Sequence, residues 1–398
     1  MKRKRYLLLS VLALAVAGLA FTAAGCGGGG GSSGTGGGDT GNLPQSVGPG
    51  EGQLDIIAWA GYAEDGSTDP SVDWVTPFEK KTGCQVNVTV GNTSDEMVTL
   101  MKTGNFDGVS ASGDATLRMI AGGDVAPVNV NLVPNYKDIF PALKDRPHNT
   151  VDGVHYGIPH GRGANLLMWR TDKVSPEPDS WSAVFDPSSP YKGKVTAYDS
   201  PIYIADAALY LSKTQPDLGI TNPYELDDKQ FSAAVDLLKQ QRTLIGEYWS
   251  DYTKEQAAFA GGNSVIGTTW QVITNLLEAD KVPVKAILPK EGATGWSDTW
   301  MISSKAKHPN CMYRWMDWIV SPKVNAEVAE WFGEAPANSK SCAETADPKT
   351  CDIYHANDEA YFSKVAYWTT PQKDCLDDRG DVCKDYSEWT QAWTEIKG

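Results

Sequence analysis

The chain has 398 residues, 41% of them hydrophobic, with 14 Trp, 16 Tyr and a formal net charge of −15 at pH 7. That length supports two domain-sized cores rather than one. The acidic excess argues against nucleic acid and against electrostatic adhesion to anionic lipid, and it would concentrate a cationic ligand near the surface, although surface acidity for solubility explains it equally well.

The first signal along the chain is at its start. Lys2-Arg3-Lys4-Arg5 is a basic n-region, residues 6–21 form an apolar h-region, and Ala23-Ala24-Gly25 supply small residues before Cys26. The apolar run is too short for a transmembrane helix. Ala-Gly-Cys resembles a bacterial lipobox, which predicts a lipoprotein signal peptide over 1–25 and a lipidated, N-terminal Cys26. An ordinary secretory signal is the alternative, because Ala23 stands three before the Cys where Leu is more usual. Without those four basic residues, 31 bases face 50 acids, a net −19. Gly and Ser then dominate 26–52, predicting a flexible tether of roughly 25–30 Å root-mean-square span. The expected location is the outer face of the cytoplasmic membrane, with the globule held outside it.

An apolar run at 54–60 predicts a strand covered on both faces. Asp69-Pro70 predicts a helix start that runs to Gly83, with Pro77 kinking or shortening it. A strand at 84–90, a helix at 94–102, a strand at 106–111 and a helix at 114–121 complete a β-α-β-α-β-α order, which implies an open α/β sheet. A second α/β pattern follows, with extended segments at 156–159, 165–169 and 194–197. Helices are expected at 202–213, 227–241, 254–260 and 272–279, and strands at 264–269 and 284–288. Two further helices, 306–319 and 322–332, precede a polar, aromatic tail.

Besides Cys26 there are six cysteines, an even number in an exported chain, which favours disulfides. Six allow fifteen pairings. Cys342–Cys351 and Cys375–Cys383 would each close a short loop, which leaves Cys84 with Cys311. No CxxC and no His cluster supports zinc, His155 and His160 do not share a helical face, and no metal or cofactor is expected.

Between the last two predicted strand runs lies 289–300, PKEGATGWSDTW. Trp296 and Asp298, two apart in an extended segment, point to one side. They read either as a core indole beside a solvated acid, or as a wall and a charge partner for a cation with an alkyl body. No GxSxG, HExxH or evident catalytic pair of acids is present, so an enzyme is not expected.

Several motifs in order carry a resemblance: Ile57-Ala58-Trp59-Ala60-Gly61-Tyr62, Phe78-Glu79-Lys80-Lys81-Thr82-Gly83, Phe106-Asp107 with Ser112, Tyr156-Gly157-Ile158-Pro159, Gly267-Thr268-Thr269-Trp270, and Pro289-Lys290-Glu291-Gly292 with Trp296 and Asp298. Over roughly 54–340 the chain resembles the extracytoplasmic solute-binding proteins of bacterial ABC importers, in their spermidine/putrescine-binding branch. The resemblance implies an α/β, two-lobed periplasmic-binding-protein fold (type II) with ligand in the interlobe cleft. Its first lobe would hold 53–160 with 297–338, and its second 161–296 with 339–398. The crossings would fall near Pro159, Asp298 and Glu334.

The same resemblance implies aromatic walls at Trp59, Tyr62, Trp270 and Trp296, an amine-holding carboxylate at Asp298 and a polar contact at Ser112. Asp114, Tyr203 and Glu334 occupy further positions of the site. Departures accompany it: Ser200 and Tyr203 stand where the branch has two acids, with Asp199 adjacent, Glu334 replaces a tyrosine, and Asp114 an aromatic. The implied partners are a small amine and a membrane permease, and the expected state is a monomer. Arg162 leaves open a zwitterionic ligand such as a γ-amino acid, or else an ordinary salt bridge. Betaine-type ligands, sugars and a secreted carbohydrate-active enzyme are the other readings.

Overall fold

A computed structural model describes residues 43–398. The expected signal peptide, Cys26 and most of the tether lie outside the described residues. The end of the tether does not behave as free coil. Pro44 O accepts from Asn129 Nδ2 at 2.8 Å, Gly48 N donates to Asn310 Oδ1 at 2.6 Å, and Glu51 accepts from the Asn310 and Cys311 backbone N–H groups at 3.0 and 2.9 Å. Those two N–H groups belong to the first turn of helix Pro309–Ile319, so Glu51 satisfies donors that the helix cannot.

Fifteen strands follow in chain order: β1 (Gln53–Ala58), β2 (Gln85–Val90), β3 (Gly108–Ala111), β4 (Val125–Ala126), β5 (Thr150–Val151), β6 (Val154–His155), β7 (Ile158–Ala164), β8 (Leu166–Arg170), β9 (Val195–Tyr198), β10 (Ile245–Trp249), β11 (Ile266–Thr269), β12 (Val284–Ile287), β13 (Ala293–Ser303), β14 (Ala335–Pro336) and β15 (Val365–Tyr367). The first lobe is built on the sheet β14-β7-β13-β3-β1-β2, with β4 and β15 also paired to β13. The second lobe is built on β10-β9-β11-β8-β12. Parallel pairing of β1 with β2 and β3, and of β9 with β10 and β11, agrees with the α/β order expected. Helices cover these sheets, and each lobe has its own apolar core.

Pairing places the crossings further along the chain than expected. β7 stays in the first sheet through Ala164, so the chain passes over at Asn165 rather than at 160/161. β13 belongs to the first sheet from Ala293, and the return lies in 288–292 rather than at 296/297. The tail also divides: β15 remains on the first sheet, whereas helix Tyr386–Lys397 packs Trp389, Trp393 and Ile396 into the second core. The third passage therefore follows Tyr367, not Glu334.

The predicted helix at Asp69-Pro70 does not form there. Asp69 instead closes a turn onto Ser71 N at 2.8 Å, and the helix is Val75–Thr82. Pro77 falls in its first turn, where a missing N–H breaks no intrahelical bond. The 227–241 helix carries the expected start, with Asp227 and Gln230 forming a capping box.

All three disulfides pair as the loop lengths favour: Cys84–Cys311, Cys342–Cys351 and Cys375–Cys383. The first joins residues 227 apart and ties helix Pro309–Ile319 to the start of β2. Removing it frees far more chain than removing Cys342–Cys351, which spans only 9 positions. The double variant C84S/C311S is expected to lose about 4–5 kcal/mol of stability and C342S/C351S only about 2–3. Thermal unfolding of the two would show the first with the lower Tm, and equal midpoints would contradict the assignment.

Candidate functional site: an acidic cluster walled by aromatic rings

β13 is the strand on which the site is built. Its eleven residues are all buried, and it pairs antiparallel with β7, Trp296 opposite Gly163 and Asp298 opposite Gly161. The side chains of Trp296 and Asp298 therefore share one face, as their two-residue spacing demands. Gly161 and Gly163 are required by close approach: a Cβ at Gly161 would overlap the Glu334 carboxyl, and one at Gly163 the Trp296 indole. The intervening Arg162 points to the other face.

Asp298 is 2% exposed. Ser112, the residue just before helix Gly113–Ala121, donates its hydroxyl to Asp298 Oδ1. Tyr62 Oη lies 2.8 Å from Asp298 Oδ2 and also 2.8 Å from Glu334 Oε2. Glu334, itself 1% exposed, is delivered by the end of helix Pro322–Phe332. Gly333 turns that end out in the left-handed conformation (φ 93°) before β14 pairs with β7. His160 Nδ1 stands 3.9 Å from Glu334 Oε1, and burial depresses this imidazole to about 3, so it faces the acid uncharged. Asp114 adds a third buried carboxyl, accepting from Ser94 Oγ at 2.9 Å.

Burial pushes Asp298 up to about 6 and Asp114 to about 7, against the opposing hydrogen bonds from Ser112, Tyr62 and Ser94. Glu334 is raised well above the usual carboxylate range, by burial first and by the charge of Asp298 second. Among the described residues, no Lys or Arg forms an ion pair with these three acids; neutral His160 stands near Glu334, and the charge of Arg118, which is paired with Asp95, favours the ionised form of Asp114 from further off. Buried acids without a cation are costly, and the environment answers by raising their proton affinity.

A run of aromatic rings leads away from the acids. Tyr62 meets Phe332 at 4.4 Å, Phe332 meets Trp296 at 6.0 Å, and Trp296 meets Trp270 at 6.4 Å between ring centroids. Trp270 continues to Tyr198 at 5.6 Å, which stacks on Trp368 at 5.5 Å. Trp270 is fixed by its ring N–H, which donates to Asn165 Oδ1 at the first crossing (2.9 Å). A pocket between the lobes is lined by Trp270, Trp296, Glu334, Arg162 and tail residues Tyr354 and His355. Trp59 is half-buried just past β1, and its ring N–H has no partner among the described residues.

Of the residues expected in the site, the fold brings Tyr62, Ser112, Asp298 and Glu334 into one bonded cluster, with Asp114, Trp296 and Trp270 around it. Trp59, which packs against the first-lobe core, and Tyr203 are the exceptions. Tyr203 is fully buried in the second core, stacked near Phe185 and accepting from Gln241 Nε2 at 2.9 Å. It packs because the helix it introduces lays that face on the sheet. Asp199 and Ser200 are also diverted: Asp199 accepts from Trp393 and Lys397, and Ser200 caps its own turn. Arg162 pairs with Glu359 at 2.7 Å, donates to Ala356 O and lies 3.8 Å over the Phe362 ring. It holds the tail and does not face the acids.

Tyr198 and Trp368 are site residues that the sequence did not single out. For Tyr198 a signal was available. Trp59, Ser112, Tyr198 and Trp270 all stand at or just past the carboxyl ends of parallel strands, where open α/β sheets place ligands. Trp368 had none, since it enters the cleft only through β15 pairing with β13.

The raised acids make a pH prediction with a definite sign. Asp114 binds its proton more tightly in the folded than in the unfolded chain, so its contribution to stability falls as pH rises from about 4 to about 7. Asp114→Asn, neutral throughout, is expected to gain stability relative to the parent across that window and to match it near pH 4. Tm measured against pH for both chains checks this, and a difference that does not grow with pH would contradict it.

Residues 73–355 match the family described as bacterial extracellular solute-binding protein. The spermidine/putrescine-binding periplasmic protein 1 of Haemophilus influenzae is 23% identical over 351 residues, covering 86% of this chain and 89% of that protein. A putrescine-binding periplasmic protein of Pseudomonas aeruginosa is 26% identical over 294 residues, covering 70% of this chain and 76% of that one. A solved structure described as a putative spermidine/putrescine ABC transporter from Listeria monocytogenes superposes with a TM-score of 0.70 at 20% identity, over 87% of this chain and 99% of that one. Both curated relatives are named as binding proteins and neither as an enzyme. With its two lobes, its cleft-facing strand ends and a family match across most of its length, the chain belongs to the bacterial extracellular solute-binding proteins.

Proposed function

We propose that this protein captures a small cationic amine of the polyamine class and presents it to a membrane permease. The observation that carries this is the set of three buried acids, Asp114, Asp298 and Glu334, with no lysine or arginine ion-paired to them among the described residues and aromatic rings alongside. An alkyl chain suits the indole walls, and an ammonium group suits the acids, the aromatic faces adding cation–π attraction. The names of the relatives point the same way. Zwitterionic ligands are less well served, since Arg162 is spent on Glu359 and the tail.

Capture works by closure of the two lobes about the crossings at Asn165, 288–292 and the residues after Tyr367. A ligand touching both lobes stabilises the closed form by its differential affinity for it. The protein acts as a monomer, lipidated at Cys26 and held on the outer face of the cytoplasmic membrane.

Calorimetry with putrescine, spermidine, γ-aminobutyrate, glycine betaine and maltose tests the ligand class. Putrescine or spermidine is expected to bind, and Asp298→Asn to weaken that binding by about 30-fold or more, because it removes one partner of a buried charge pair. Binding of maltose without any amine would overturn the proposal. For the anchor, Cys26→Ser is expected to shift the protein from the membrane fraction to the medium or periplasm. An unchanged membrane fraction would count against lipidation.

A further inference from the structure

The hydrogen bonds around Tyr62 contain one more proton than two carboxylates and a phenol can supply. Its hydroxyl lies 2.8 Å from Asp298 Oδ2 and 2.8 Å from Glu334 Oε2, yet a phenol has a single O–H to donate. Both contacts are bonds only if one carboxyl is protonated and donates to the phenol oxygen while the phenol donates to the other. Asp298 already accepts from Ser112 on its second oxygen. Glu334 Oε1 has no hydrogen-bond partner. The proton therefore belongs on Glu334, giving Glu334 O–H to Tyr62 Oη and Tyr62 O–H to Asp298 Oδ2.

We propose that this cluster is a proton-for-ammonium exchange site: empty, it holds one proton on Glu334, and it gives that proton up when an N–H-bearing cation binds. The inference rests on the cationic-amine reading above and adds to it a choice of headgroup and a pH dependence. Two independent observations support it. Glu334 is 1% exposed with an unpartnered oxygen, and the pocket bounded by Trp270 and Trp296 reaches Glu334. The exchange balances: an ammonium ligand plus the neutral Glu334 acid gives the carboxylate–ammonium pair, and the proton passes to solvent. No covalent bond changes elsewhere.

Asp114 and Asp298 are also raised and take part in the site's titration, but only Glu334 completes the Tyr62 bonds by carrying the proton. From β7, His160 faces Glu334 uncharged. From the start of helix Gly113–Ala121 come Ser112 and Asp114, and from the second lobe Tyr198, whose phenol is pushed up by burial and by Asp114 and Asp298. Arg162 lines the same pocket, but its guanidinium is paired with Glu359, and Arg118, near Asp114, is paired with Asp95. A primary or secondary ammonium offers the N–H donors that replace the lost O–H bond. A quaternary ammonium has none, and it is selected against.

The test is calorimetry of putrescine at pH 7 in phosphate, HEPES and Tris, whose differing ionisation heats report proton uptake or release. The parent chain is expected to release protons on binding, and Glu334→Gln about one fewer per ligand, since Gln mimics the neutral acid without its dissociable proton. Glu334→Gln should fold as well as the parent for the same reason. The parent's affinity is expected to tighten up to about tenfold per unit rise in pH near neutrality. Choline should bind at least about tenfold more weakly than putrescine. Heats that are independent of buffer, or equal release from Glu334→Gln and the parent, would overturn the exchange while leaving amine binding intact. Absence of heat with any amine in every buffer would overturn the ligand class and the exchange with it.

Discussion

Asp298 can be buried only because the groups around it are arranged to hold a carboxylate. It takes a hydroxyl from Ser112 at the start of a helix and another from Tyr62, which also touches Glu334. Ser112 comes from the end of β3 and Tyr62 from the turn after β1, so the ends of two neighbouring strands of the first sheet converge on β13. β13 must therefore be in register with both β3 and β7 for the acid to have partners. A slip of one residue would turn Asp298 away and present Ser297. Much of the first lobe is arranged around that register.

The same register separates charges of opposite sign. On β7 the glycines at 161 and 163 clear the face that Glu334 and Trp296 occupy, while Arg162 between them projects to the other side. There it grips Glu359 and the Ala356 carbonyl and lies on Phe362, fastening the tail beside the disulfide Cys342–Cys351. A guanidinium on the cleft face would neutralise the acids and leave nothing for a cationic ligand to do. One strand thus supplies structural adhesion on one side and room for binding on the other. Period-two alternation is the reason both are available.

Holding acids in a dry cleft without a counter-ion is unfavourable, and the protein accepts this in the empty state. Protonation limits the penalty. In the exchange proposed above, ligand binding would trade an internal proton and ordered contacts for a cation and its hydrogen bonds, so the strain of the empty site would become a preference for charged amines over neutral sugars. The aromatic run from Tyr62 to Trp368 excludes water at the same time, which strengthens each electrostatic contact inside.

Local features were legible from the residues alone. The α/β alternation, the two short-loop disulfides and the shared face of Trp296 and Asp298 all follow from short-range spacing, and Cys84–Cys311 follows by elimination. The resemblance placed Tyr62, Ser112, Trp270 and Glu334, and the fold brings them into or beside one cluster. It failed at Tyr203, because an aromatic on the inner face of a helix packs into its core whatever a relative carries there. Spacing did not reveal which side of β7 Arg162 takes, or that Trp368 enters the cleft. The bonds from Tyr62 to Asp298 and Glu334 join residues 236 and 272 apart in sequence. Such contacts depend on strand register and on where the chain crosses between lobes, and no short stretch of sequence encodes either. The sequence by itself determined the elements and the chemistry of the carboxylates. Only the tertiary structure decided that two of those acids share a single phenol.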